Sequence, residues 1–363
     1  MANYSVLAAQ MANFYSTEGD IGKTSGQQRV TIPPISVNIG GIGYHKATET
    51  DLYPLTDNDG TLGVTPAFAV GTDYYIYAVP ADADSIEPNF VVSLNSTWPD
   101  GYTASTSRKI GGFHYGRVRA VNAKREPING SSVAFGTSGT NWKDNVANGI
   151  LPLSVWSLTH RPKCSPEGMV YMGGGLWVDI YLCADDGNGG VKSDYNATPL
   201  TGTEGLNQYD FMQRFARVDK RGLTYAEWCN AAFGSPQGEN GNNTYAHAAT
   251  TNSARAATGS VDKAVSSIGC VDCAGNAWEW LDETNVRSLT AATGAYKNVI
   301  TTGEYATAGW GQAYMHDDNH LVALIAGGGG ISGVIAGARA VILFHGPWSV
   351  DADICSRGAC ASI

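Results

Sequence analysis

The stretch Gly275-Asn276-Ala277-Trp278-Glu279-Trp280 decides the fold. Two tryptophans at alternate positions of a strand project from the same face, and each removes a large apolar area from water when it packs beside a central sheet. Trp278 and Trp280 are therefore read as core rather than as a binding site. Upstream, Gln208 to Val218 sets Phe211, Met212 and Phe215 at helical spacing. Thr224-Tyr225-Ala226-Glu227 then has the capping-box pattern, in which the Thr hydroxyl and the Glu carboxylate each satisfy a free N–H at a helix start. Trp228, Ala231 and Ala232 form the buried stripe of that second helix. Two helices followed by apolar β-runs make this part of the chain α+β.

Outward from this signature, the 363 residues suit two or three domains. Only 15% are charged, while 45 Gly, 18 Tyr and 9 Trp favour short strands and hydrogen-bonded loops over long surface helices. A formal net charge of -10 with no offsetting Lys/Arg run argues against nucleic acid as a partner. No apolar stretch is long enough to insert in a membrane, and Met1-Ala2-Asn3-Tyr4-Ser5 does not begin a cleaved export signal.

Residues 1–30 read as an N-terminal extension or assembly arm. Residues 31–150 carry short β-runs divided by turn chemistry, among them Val30-Thr31-Ile32, Ser36-Val37-Asn38-Ile39 and Tyr74-Tyr75-Ile76-Tyr77-Ala78-Val79, which predicts a β-sandwich-like domain. Asp57-Asn58-Asp59-Gly60 lacks the bidentate Glu of a calcium loop and is expected to be a hairpin turn; Asp185-Asp186-Gly187-Asn188-Gly189-Gly190 is expected to be a hydrated acidic turn. The character changes near 151, where the C-terminal domain is placed, running to 363.

Cys270 and Cys273 form a CxxC, but zinc needs two more ligands at matching spacing, so buried thiols or a local disulfide are expected and no metal or other cofactor. His316-Asp317-Asp318-Asn319-His320 reads as a solvated loop rather than a metal or acid/base cluster. No nucleophile elbow is visible.

The Gly275–Trp280 signature, with Glu227-Trp228 ahead of it, resembles the formylglycine-generating-enzyme branch of the C-type lectin fold. Gly71-Thr72-Asp73-Tyr74-Tyr75-Ile76-Tyr77, the run Gly101 to Tyr115, and Ser157 to Leu182 with Arg161-Pro162 and Trp177-Val178-Asp179-Ile180-Tyr181-Leu182 resemble one family on that branch, the major tropism determinants, phage proteins diversified by a retroelement. The resemblance spans about residues 60–363. It implies a C-type lectin-like domain over 151–363 and a variable ligand-binding protein at a virus fibre tip that recognises a host-surface protein or glycan. A cell-surface variable binder is the near alternative. It also implies a homotrimer, although residues 1–30 depart from the family's trimer-forming start.

In such systems a template is copied with errors only at adenines, so an Asn codon varies at its first two positions and never yields Lys, Glu, Gln, Met or Trp. From Ala323 to Ile363 there is no Lys, Glu, Gln, Met or Asn. A variable region over about 323–360 is expected, with Gly327-Gly328, Ala336-Gly337-Ala338-Arg339-Ala340, Gly346-Pro347-Trp348 and Ser356-Arg357-Gly358 as its fixed frame. Between them stand Gly329, Ile331, Ser332, Ile335, Ile342, Phe344, His345, Ser349, Asp351 and Asp353, every one reachable from an Asn codon, and these ten are the predicted ligand-binding residues. Arg339 and Arg357 are expected to hold loop carbonyls or carboxylates. The enzymes of the branch use a copper-binding cysteine pair, but the matching region, Arg339 to Phe344, has no Cys, so the chain is read as a binding protein and not an enzyme.

Overall fold

The computed structural model describes residues 9–82, 84–129, 132–133, 141–239, 243–247, 255–286, 295–298, 312–315 and 321–363. The chain is mostly β with few helices, and it divides into two compact units. The first comprises residues 1–120, 145–180 and 360–363; the second comprises 121–144 and 181–359.

The centre of the first unit is a sheet in which β1 (Thr72–Pro80) lies between β2 (Pro88–Ser93) and the long β3 (Arg108–Arg119), with β4 (Val146–Ile150) and the short Trp156–Ser157 also paired to β3. Successive residues of a strand face opposite ways, so the unbroken apolar run Tyr74–Val79 must be buried on both sides. It is. Tyr74, Ile76 and Ala78 join one core with Val30, Ile32, Ile35 and Val37, while Tyr75, Tyr77 and Val79 join a second with Trp156, Met169 and Trp177. Gly112 has no substitute here, because a Cβ would sit 2.6 Å from the Tyr74 carbonyl oxygen and 2.7 Å from the Trp156 indole nitrogen.

The unit boundary falls at 180/181 rather than near 151. Trp156–Ser157 adds to β3, and Met169 and Trp177 fill the core under Tyr75, so residues 145–180 are held by long-range pairing that local sequence does not announce. The start of the chain is likewise integrated: Tyr15–Thr17 pairs with Ile35–Ile39, and Gly22–Lys23 with Val30–Ile32. Asp57–Gly60 is not a hairpin, since Asn58 bridges to Val92, and its carboxylates accept main-chain N–H groups, Tyr53 on Asp57 and Asp100 on Asp59.

In the second unit the helices stand where their caps predict. α1 (Gln208–Ala216) is capped by Asn207 and Asp210, and α2 (Tyr225–Ala232) by Thr224 and Glu227. They pack beside a sheet whose order is β7, β6, β5, β8, with β5 Trp278–Val286, β6 Leu321–Gly327, β7 Gly337–His345 and β8 Ile354–Ser356. β8 runs parallel to β5 and the remaining pairs are antiparallel. Trp278 and Trp280 enter a core with Phe211, Phe215, Ile325 and Cys355. Glu279, between them, is fully buried and is met by the equally buried Arg357, Nε to Oε2 at 2.9 Å and Nη2 to Oε1 at 3.1 Å, while Nη2 also donates to the Val271 carbonyl at 2.7 Å. The Asp185–Gly190 stretch turns between the paired strands Cys183–Asp185 and Val191–Ser193, with Asp186 accepting the N–H groups of Asn188 and Gly190.

Cys270 and Cys273 are buried thiols. A hydrogen bond that the Cys273 S–H donates to Cys270, together with burial, pushes the Cys273 thiol well above its usual range. The His316–His320 cluster lies outside the described residues.

Candidate ligand-binding face

The ten predicted residues fall on three consecutive pieces of the second unit: the loop after β6 with its short 3-10 turn Gly333–Ile335, the strand β7, and the turn and loop from 346 to 353. Among the described residues β7 is the last strand of its sheet, and it carries no fully buried residue. An edge strand flanked by two loops leaves side chains in water without disturbing the core beneath.

The ten positions do not share one environment. Ile331, Ile335 and Phe344 are exposed, at 53%, 68% and 42%. Ser332, Ile342, His345, Ser349, Asp351 and Asp353 are half-buried, and Gly329 is buried with its N–H donated to Ser332 Oγ at 2.9 Å. Ile342 packs on the core, as a plain reading of Ile342-Leu343-Phe344 as a strand would have it. Strand alternation would then put Phe344 inside as well. Instead β7 carries an irregularity: Ile325 faces Ile342 but Ala323 faces His345, three residues on β7 against two on β6. The extra residue reverses the phase. His345 thus turns to Trp280, its ring edge-on with centroids 6.1 Å apart, and Phe344 stays outside against the His345 ring.

Sequence reasoning missed other exposed side chains on these pieces: Val334, Arg339, Trp348 and Val350. Val and Arg are also among the products of a varied Asn codon, so the codon argument held a signal for Val334, Arg339 and Val350 that frame spacing obscured. Arg339 was expected to brace the frame, but its side chain is exposed; bracing falls to Arg357 alone of the two.

What holds the segment is aimed at its backbone. Gln237 Nε2 donates to the carbonyl of Val334 at 2.5 Å, the Gly238 N–H to Ala336 at 2.9 Å, and the Tyr225 hydroxyl to Arg339 at 2.9 Å. The N–H of Gln208 reaches the Pro347 carbonyl at 3.1 Å and that of Gly202 the Asp351 carbonyl at 2.8 Å. Every donor comes from outside the predicted variable region and every acceptor is a main-chain oxygen, present whatever side chain the position carries. Gly328, at φ 107°, makes the turn out of β6, where a Cβ would lie 2.5 Å from that of Ala336.

Electrostatically the face is sparse. Asp351 uses Oδ1 to accept the Asp353 N–H at 2.9 Å. Burial, and then the Asp351 charge, raise the Asp353 carboxyl above its ordinary range. Cys355 lies beneath, a thiol pushed up to about 12 by burial, and it belongs to a different compact unit from Cys360.

The site is thus an edge strand and loops that accept main-chain bonds from outside the segment, over a tryptophan-based core. Residues 22–143 match the family model of the Mtd second domain. The chain is 27% identical over 313 residues to the tail fiber receptor-binding protein of Bordetella phage BPP-1, covering 81% of this chain and 72% of that protein. Among solved structures, the M1 variant of the major tropism determinant superposes with a TM-score of 0.68 at 23% identity, covering 97% of this chain and 86% of that one. The I1 variant gives 0.67 at 23% identity with the same coverage. The chain resembles the major tropism determinants, and its fold is theirs.

Proposed function

We propose that this chain is a variable receptor-binding protein of a phage tail fibre, diversified by a retroelement, and that it binds rather than catalyses. In this reading the second unit is a C-type lectin-like domain, and the region before it, whose central sheet is covered on both faces, is sandwich-like. The observation that carries the reading is the backbone anchoring of 334–351. The bonds that reach the segment from Gln237, Gly238, Tyr225, Gln208 and Gly202 end on main-chain oxygens and survive a change of side chain, and pre-ordering the loops lowers the entropy cost of each new contact. The similarity to a tail fiber receptor-binding protein supports the location on the virion.

Contact with a host-surface protein or glycan is assigned first to Ile331, Ile335 and Phe344, joined by Val334 and Val350. Ser332, Ser349, Asp351 and Asp353 supply a polar rim. Gly329, Ile342 and His345 act beneath the face, tuning its shape. A homotrimer would multiply such contacts.

The test is genetic and then biochemical. The neighbouring DNA should hold a near-copy of the codons for Ala323 to Cys360 with Asn codons at the varied positions, beside a reverse transcriptase gene. A library varied at Ile331, Val334, Ile335, Phe344 and Val350 should express as soluble, cooperatively melting protein while its members differ in adsorption to host cells. Aggregation of most members would return these residues to the core and sink the proposal.

A further inference from the structure

We propose that Cys164 and Cys360 form a disulfide that fastens the C-terminal residues to the first unit. The geometry is that of a strand pair. The Lys163 N–H donates to the Ala361 carbonyl at 2.9 Å, the Ile363 N–H to the Arg161 carbonyl at 2.9 Å, and Pro162 bridges Ser362 in antiparallel sense. Continued one step, this register would set residue 164 opposite residue 360. The contact is direct, for the Cys164 N–H donates to Cys360 Sγ at 3.2 Å across 196 positions of sequence. Facing residues of an antiparallel pair have Cα atoms about 4.5–5.5 Å apart. A disulfide spans Cα separations of about 4.4–6.8 Å. The register thus meets the requirement with a side-chain rotation and little backbone movement.

The surroundings favour the bond. Both residues are thiols in the structure, both are buried, and both belong to the apolar cluster of Tyr75, Tyr77, Trp156, Met169 and Trp177. Cys164 Sγ lies 3.5 Å from Met169 Sδ, so rotating it toward Cys360 exchanges one sulfur contact for another. A cystine is apolar and leaves no polar group unsatisfied in that cluster.

The chemistry is thiol–disulfide exchange with a low-molecular-weight disulfide. The Cys360 thiolate attacks one sulfur of that disulfide, forming a mixed disulfide and expelling one thiolate. The Cys164 thiolate then displaces the second. Two protein thiols are oxidised, one small disulfide is reduced to two thiols, and the two protons lost by the protein thiols end on the two released thiolates. The product closes a covalent loop that contains residues 181–359, all but 24 residues of the second unit, and adds a covalent tie to the hydrogen bonds that hold residues 360–363. The inference rests on this geometry and is independent of the ligand-binding reading.

Methionine positions make the test clean. The full chain is incubated with oxidised glutathione, free thiols are alkylated in denaturant, and the protein is cut at methionine with cyanogen bromide. Cleavage after Met11, Met169 and Met315 puts Cys164 in fragment 12–169 and Cys360 in fragment 316–363, whereas Cys270 and Cys273 share another. Mass spectrometry should find 12–169 joined to 316–363, separable by reductant, absent from Cys360→Ser and retained in Cys355→Ser. Alkylated Cys164 and Cys360 in the wild-type fragments, or a link that disappears only in Cys355→Ser, would overturn the proposal. Fragment 316–363 also carries Cys355, so tandem mass spectrometry of the linked wild-type fragments must find the alkyl group on Cys355, a result that decides even if a variant fails to fold.

Discussion

β5 and β7 belong to one sheet with a single strand between them, yet they follow opposite rules. β5 depends on which side chains it carries: Trp278 and Trp280 fill the core, and Glu279 holds Arg357. β7 and its loops depend more on where their carbonyls lie, because the bonds that reach them from Tyr225 and Gln237 end on main-chain oxygens. A region anchored by side chains resists substitution, and a region anchored by backbone tolerates it. Mutations that treat the two alike should therefore give very different results.

The largest effect is expected at the buried ion pair. Arg357→Ala strands the Glu279 carboxylate in the interior, which typically costs about 3–5 kcal/mol, and Trp280→Ala opens a cavity of similar cost. Thermal and denaturant melts of both variants should show the loss; a midpoint within a degree or two of the parent would contradict the core role of β5.

Next come the carbonyl anchors. Gly202→Val forces a side chain onto Asp351, where even a Cβ would lie 2.3 Å from the backbone nitrogen, and overpacking of this kind costs about 1–3 kcal/mol. Gln237→Ala removes one hydrogen bond, about 0.5–1.5 kcal/mol. Both should weaken binding in whatever variable background they are placed. An effect confined to one background would mean that side chains, not backbone, fix the loop.

Asp353→Asn gives a smaller, pH-dependent change. Because the folded-state pKa is raised above the unfolded value, ionisation of Asp353 lowers stability as pH rises through the interval between the two, and the loss persists at neutral pH. The Asn variant should melt slightly higher than the parent at pH 7, with the gap closing as pH falls below the unfolded carboxyl range. A gap that widens on acidification would reverse the sign of the argument.

The smallest effect on stability belongs to the exposed set. Ile335→Ser with Phe344→Ser, and separately Arg339→Ala, should stay within about half a kcal/mol in melts. The double variant should nonetheless lose host adsorption, since a central aromatic contact often carries about 2 kcal/mol or more. Destabilisation by several kcal/mol would place Phe344 in the core.

Much of this was legible in the residues. Thr224 and Glu227 announced a helix start that the structure contains, because a capping box is local chemistry between residues three apart. The alternate tryptophans announced a buried strand, and Tyr74–Val79 an unbroken apolar run that the structure buries on both faces. The absence of Lys, Glu, Gln, Met and Asn after Ala323 marked the segment in which Ile331, Ile335 and Phe344 stand exposed.

Other features depend on partners far away in sequence. Residues 145–180 and 360–363 belong with the first unit because of strands and side chains distant along the chain, such as β3 and Tyr75. Arg339 and Arg357 look alike as frame residues; only the fold sets Glu279 beside one of them and water beside the other. His345 and Phe344 exchange faces because of one extra residue in β7, and a pattern of period two carries no information about where its phase slips. The sequence by itself determined which segments could be helix or strand, since propensity and capping are local. Tertiary structure alone decided which side chain of each segment faces the core, since that follows from the register between strands, and register is set by the partner.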